Sequence, residues 1–216
     1  MLIKVCGMRD LENIQNLQAR VQPDYMGLIF YPPSPRYVGD KDPGVYHSIQ
    51  LRKVGVFVDE ELEKVLDRVK TYGLNGVQLH GKESKDYILE LKKHTNVFVW
   101  KVWSVKEELN WESLRPYEEL IDAFLFDTFT EAHGGSGKLF NWQLLANYPF
   151  DKPFFLSGGL SLTHAAEITQ LKSKIPQLVG VDLNSKFEIS PGLKDIEQLV
   201  AFKNSLLNTE INEGSI

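Results

Sequence analysis

Apolar residues in this chain gather into eight short runs: "LIKVC" (2–6), "DYMGLIF" (24–30), "RKVGVFV" (52–58), "NGVQLH" (75–80), "NVFVWKV" (96–102), "IDAFLFD" (121–127), "KPFFLSG" (152–158) and "LVGVDL" (178–183). Most are hydrophobic on consecutive positions rather than alternating, which predicts parallel strands covered on both faces. The segments between them, among them "DLENIQNLQAR", "DEELEKVLDRVKTYG", "SKDYILELKKH", "WESLRPYEEL", "LTHAAEITQL" and "LKDIEQLVAFKNSLL", place apolar residues at helical spacing among charges. Eight strand–helix units in about 200 residues meet the requirement of a closed (β/α)8 TIM barrel, an α/β fold. An open doubly wound sheet is the alternative, because strand order is not written in one sequence. The stretch "YPPSPRYVGDKDPG" (31–44) reads as an ordered loop followed by a short second helix. A single barrel domain is expected over 1–207. The polar "NTEINEGSI" (208–216) is expected to be a frayed tail.

Composition adds exclusions. With 43% hydrophobic and 25% charged residues in 216, the chain is ordinary globular material. A net charge of -5 offers nucleic acid no bulk attraction, so an anionic ligand must be held by backbone amides or single arginines. One cysteine builds no disulfide framework, and "MLIKVCGMRD" lacks the apolar core of a secretory signal. No apolar run approaches the roughly 20 residues that span a bilayer. A cytoplasmic protein with neither nucleic acid nor membrane as partner is expected. The charged outer helices favour a monomer.

Chemistry in such barrels sits where strands end. Those positions hold Cys6, Arg36 in the second loop, His80, Asp127, the turn Ser157-Gly158-Gly159, and Asp182 through Ser185. Each also has a plain structural reading. A lone cysteine fills a core as a small hydrophobe, Asp127 can cap the turn that follows it, and Arg36 can be a solvated loop cation. His80 can simply satisfy a carbonyl, and it is left outside the catalytic set. The glycine-rich "HGGSGK" (133–138) lacks the spacing of a nucleotide-binding P-loop, and nucleotide binding is rejected.

Taken in order, "KVCGMRD", "GLIFYPPSPRYV", "VGVFV", "VQLHG", "FDT" with "GGSGKLFNW", "LSGGL" and "GVDLNS" resemble the phosphoribosylanthranilate isomerases of tryptophan biosynthesis, from about residue 3 to residue 195. The resemblance implies a (β/α)8 barrel that converts N-(5-phosphoribosyl)anthranilate to the 1-deoxyribulose 5-phosphate derivative by an Amadori rearrangement, with no cofactor and no metal. It implies Cys6 as general base, Asp127 as general acid and Arg36 as the ligand of the anthranilate carboxylate. It further implies Gly158, Gly159, Asn184 and Ser185 around a phosphate, so the partner is a small phosphorylated molecule. A base at neutral pH needs a setting that favours thiolate over a thiol of pKa about 8.5, for which Arg9 or Arg36 is the expected cation. Asp127 needs the opposite, an acid strength lowered by burial.

Three departures from the family pattern stand out. Asn184-Ser185-Lys186 occupies a place where serine-serine-glycine is usual, with Lys186 a candidate compensating charge. Arg9 is larger than usual, and Asn141 stands where aspartate is usual. The rivals are the histidine-pathway isomerase, which uses aspartate for both roles; indole glycerol phosphate synthases, for which Lys101 is the one supporting residue; and an inactive barrel that binds a phosphorylated ligand.

Overall fold

A computed structural model describes residues 1–39, 41–105, 108–128 and 141–213, with side chains up to 208. Strands β1 (Leu2–Val5), β2 (Tyr25–Ile29), β3 (Arg52–Phe57), β4 (Gly76–Leu79), β5 (Phe98–Val105), β6 (Ala123–Thr128), β7 (Phe154–Leu156) and β8 (Leu178–Leu183) pair in parallel and in chain order, and β8 closes onto β1. Closure removes the open-sheet alternative. Strand β5 runs three residues past its apolar run, because Trp103, Ser104 and Val105 find ladder partners in Phe126, Asp127 and Thr128.

The α-helices are α1 (Leu11–Asn16), α2 (Gly44–His47), α3 (Leu62–Tyr72), α4 (Lys85–His94), α5 (Trp111–Leu114), α6 (Ala165–Lys174) and α7 (Ile196–Glu213). Local chemistry sets their starts: the side chains of Asp10, Ser84 and Asn110 accept from the first-turn amides of Asn13, Tyr87 and Glu112. Asn141 does the same for a 3-10 turn at Trp142–Leu145, accepting from Gln143, so asparagine serves as the cap there. Helix α7 extends to Glu213, so helix covers positions assigned above to the tail. The segment "HGGSGK" lies outside the described residues. Among the described residues, no helix is long and apolar enough to cross a membrane.

The pleat places every second side chain of each strand inside the barrel. At the amino end the interior is plugged by aromatics. Trp100 packs 4.9 Å from Tyr25 and 4.3 Å from Phe155, and the Arg52 guanidinium lies 4.2 Å over Tyr25. One pleat above Leu2 comes Lys4, and one above Lys4 comes Cys6, beside Ile29 and Val56. The same step of two carries Gln78 to His80, Leu125 to Asp127, Phe155 to Ser157 and Asp182 to Asn184. The barrel therefore offers an upper layer that opens at its carboxyl end and a polar floor directly beneath.

Candidate active site

That upper layer lines a cleft at the carboxyl end of the barrel. All seven residues assigned a catalytic or binding role from sequence line it: Cys6, Arg36, Asp127, Gly158, Gly159, Asn184 and Ser185. Because β7 pairs with β8, the turns that follow them are neighbours. Gly158 and Gly159 have φ of +85° and +69°. A Cβ on Gly158 would meet the Thr128 amide and the Asp127 carboxylate, so only glycine passes there.

Asp127 is half-buried at the end of β6. Burial, reinforced by the neighbouring charge of Asp182, pushes its carboxyl up to about 7, against the pull of the Thr128 amide, Lys4 and the Ser157 hydroxyl. A carboxylic acid that holds its proton near neutrality is what a proton donor requires. His80 Nε2 comes within 3.5 Å of Asp127 Oδ2. The histidine left out of the catalytic set thus faces the candidate acid from inside the same cleft.

Cys6 is buried and free. Burial pushes its thiol above the ordinary value and Asp182 adds to this, while Lys4 and Lys194 pull the other way. The resting group is therefore a thiol. The cations that favour thiolate are not the arginines expected from sequence. Arg9 donates to the Pro35 carbonyl at 3.0 Å, and Arg36 is committed to Glu188 through Nε and Nη2 at 2.7–3.0 Å. Lys4 takes their place. Its Nζ is 2.8 Å from Asp182 Oδ2, and an added Cβ on Gly27 would lie 2.8 Å from Cys6 Sγ and 3.1 Å from Lys4 Nζ. Burial works against the Lys4 charge, but Asp182 and Cys6 outweigh it and keep the ammonium protonated.

Glu188 and Lys194 come from a small hairpin after β8, strands β9 (Glu188–Ser190) and β10 (Leu193–Lys194). Burial would raise the Glu188 carboxyl, but Arg36 and Lys194 bring it below the usual range. Lys194, lowered by burial to about 8, bridges Glu188 at 2.6 Å and Asn184 Oδ1 at 2.7 Å. The extra charge beside Asn184 is thus Lys194, whereas Lys186 is exposed and does not line the cleft. Lys101, the residue that kept a synthase in view, is paired with Glu83 at 3.1 Å and donates to the Gly81 carbonyl at 2.7 Å, outside this cleft. Among the described residues, no group of His, Cys, Asp and Glu is arranged to hold a metal ion.

Comparison with known proteins adds a family. The family model described as N-(5'-phosphoribosyl)anthranilate (PRA) isomerase matches residues 3–205. Relatives carrying that isomerase's name include one from Phocaeicola vulgatus, 42% identical over 95% of this chain and 98% of its own. Another, from Parabacteroides distasonis, is 38% identical over 99% and 97%. Among solved structures, phosphoribosyl anthranilate isomerase from Thermotoga maritima superposes with a TM-score of 0.81 at 32% identity, covering 96% of this chain and 99% of that one. A phosphoribosyl anthranilate isomerase in complex with reduced 1-(o-carboxyphenylamino)-1-deoxyribulose 5-phosphate matches at 0.79 and 29% identity, covering 96% of this chain and 99% of that one.

Proposed function

The chain belongs to the N-(5'-phosphoribosyl)anthranilate isomerase family and carries that activity of tryptophan biosynthesis; from this premise we propose that Asp127 is its general acid and Cys6 its general base. The observation that carries the assignment is that both groups open on one cleft with Asp127 poised at about 7. Asp127 gives its proton to the furanose ring oxygen, the C1–O bond breaks, and the nitrogen lone pair forms a Schiff base. Cys6 as thiolate then takes the proton from C2, and its electron pair flows to the iminium to give an enolamine. Ketonisation returns a proton to C1 and releases one from the C2 oxygen, so the net change is an isomerisation. The glycine turn after β7 and Asn184–Ser185 after β8 hold the phosphate. Ultraviolet fluorescence of the substrate should fall on mixing with the purified protein; a constant signal overturns this reading.

The acid and base values give a pH dependence. The reactive form has Asp127 protonated and Cys6 ionised, yet Asp127 titrates near 7 and Cys6 above its ordinary range. Below about 7 the acid is already loaded and each pH unit yields more thiolate, so kcat/KM rises. Between the two values the gain in thiolate cancels the loss of acid and the profile is flat. Above the thiol's value activity falls. The plateau represents a minor, reversely protonated fraction. A profile that falls from pH 6 upward would contradict the assignment.

Arg36 is proposed to bind the anthranilate carboxylate through Nη1, the edge that Glu188 leaves open. Arg36→Ala should raise KM about 10- to 150-fold, the worth of a charge-assisted hydrogen bond of roughly 1.5–3 kcal/mol, with kcat little changed. An unchanged KM reduces Arg36 to a partner of Glu188. A monomer is proposed on the charged outer faces of α3 and α4; a sedimentation mass well above 24.7 kDa overturns it. A cytoplasmic location is proposed because a catalytic thiol needs a reducing compartment.

A further inference from the structure

Two buried acceptor atoms in the floor of the cleft have no hydrogen-bond partner among the described residues: Asp182 Oδ1 and Gln78 Oε1. Both side chains line the cleft, with exposures of only 5% and 2%. They sit one pleat below the upper layer, where a barrel strand ordinarily carries an aliphatic side chain. Asp182 is also fixed in orientation, because Lys4 holds Oδ2 at 2.8 Å and leaves Oδ1 as the oxygen without a donor. An acceptor buried without a donor is costly, and two of them on β4 and β8, facing strands of the barrel beneath one active site, imply a ligand that brings donors.

We propose that Gln78 Oε1 and Asp182 Oδ1 accept hydrogen bonds from the hydroxyl groups of the substrate's sugar chain, and so make the site selective for a polyhydroxylated carbon skeleton. The assignment rests on the isomerase reading above. The substrate offers few donors. Its carboxylate and phosphate are anions that a carboxylate repels, and its aromatic ring has none. The single amine N–H lies ortho to the ring carboxylate and satisfies itself there. That leaves the sugar hydroxyls, which lie between the two anionic ends just as the floor lies between Arg36 on one side and the glycine turns on the other. Selectivity of this kind is steep, because an analogue without the hydroxyl strands a buried acceptor instead of merely losing one contact.

The test compares two ligands by titration calorimetry: reduced 1-(o-carboxyphenylamino)-1-deoxyribulose 5-phosphate, and 5-(2-carboxyphenylamino)pentyl phosphate, which has the same anionic ends and no hydroxyls. The wild type should prefer the polyol by about tenfold or more per acceptor. Gln78→Met keeps size but removes the acceptor, and it should cut that preference about tenfold, mostly by letting the alkyl ligand bind better. Asp182→Asn turns its amide oxygen toward Lys4 and puts its NH2 in the place of Oδ1, replacing an acceptor with a donor, and should likewise reduce the preference. Should Asp182→Asn fail to fold because the buried Lys4 charge is no longer balanced, Gln78→Met decides alone. A polyol-to-alkyl ratio in Gln78→Met equal to that of the wild type overturns the proposal. Failure of the wild type to bind either ligand overturns the isomerase reading itself, and the floor assignment with it.

Discussion

Replacing Cys6 with alanine or serine is expected to leave a folded barrel that has lost about 10²- to 10⁴-fold or more in kcat/KM. The thiol is the only group at the end of β1 that can take a carbon-bound proton, and its neighbours Ile29 and Val56 cannot substitute for it. Serine is the sharper probe. It keeps shape and a hydrogen-bonding hydroxyl, but the two lysines that pull the thiol toward ionisation, Lys4 and Lys194, cannot bring an alcohol into the range where it ionises near neutrality. Stability should change little in either variant, since one sulfur atom is removed from a site that already opens on the cleft. Both variants should still bind the reduced product analogue, because neither the guanidinium of Arg36 nor the glycine turns depend on the thiol. The pair of measurements is kcat/KM and thermal unfolding. Wild-type kcat/KM in Cys6→Ala would mean that the base is another residue, and unfolding at a much lower temperature would make Cys6 a core residue first.

What could be read from the sequence follows from the period of the strand. Side chains at the carboxyl ends of strands stand where a chain turns from apolar to polar, so Cys6, Asp127 and Ser157 were visible as interruptions at run ends. Lys4 and Gln78 lie one pleat deeper, within apolar runs, and nothing in a linear pattern says that a polar residue inside "LIKVC" or "GVQLH" faces the barrel axis and not solvent. The significance of Lys4 depends on Asp182, 178 residues away. The Arg36–Glu188–Lys194 chain was hidden for another reason. Strands β9 and β10 span three and two residues, too short for any periodicity, yet they bring Glu188 across 152 residues to Arg36. The expected cations had the right charge, Arg9 three residues after Cys6 and Arg36 in the second loop, but both are held by partners of their own. The barrel as a whole was legible because eight buried parallel strands leave a repeated signal that local exceptions do not erase.

Asp127→Asn is expected to separate the two things a carboxyl at the end of β6 can do. The amide keeps the size of the side chain and can still accept from the Thr128 amide and Ser157, so the turn should form as before. It has no proton to give to the ring oxygen. Loss of a positioned acid costs about 10²- to 10⁴-fold, or roughly 3–5 kcal/mol of transition-state stabilisation. Stability should move the other way, and with a pH dependence that identifies the cause. The carboxyl titrates at about 7 when folded and at about 3.9 when unfolded. Its contribution to stability is therefore whole below about pH 4, declines as pH rises between those values, and has been lost by pH 8, where the folded protein must bury a carboxylate. Three pKa units correspond to about 4 kcal/mol, an upper bound because the cleft admits water. The uncharged amide of the Asp127→Asn variant carries no such penalty. The variant should therefore gain unfolding temperature relative to wild type as the pH is raised from 5 to 8, while remaining nearly inactive throughout. Thermal unfolding at both pH values, set beside kcat/KM, decides the role: near-normal catalysis with stability lowered at either pH would make Asp127 a turn cap and leave the ring oxygen without its acid.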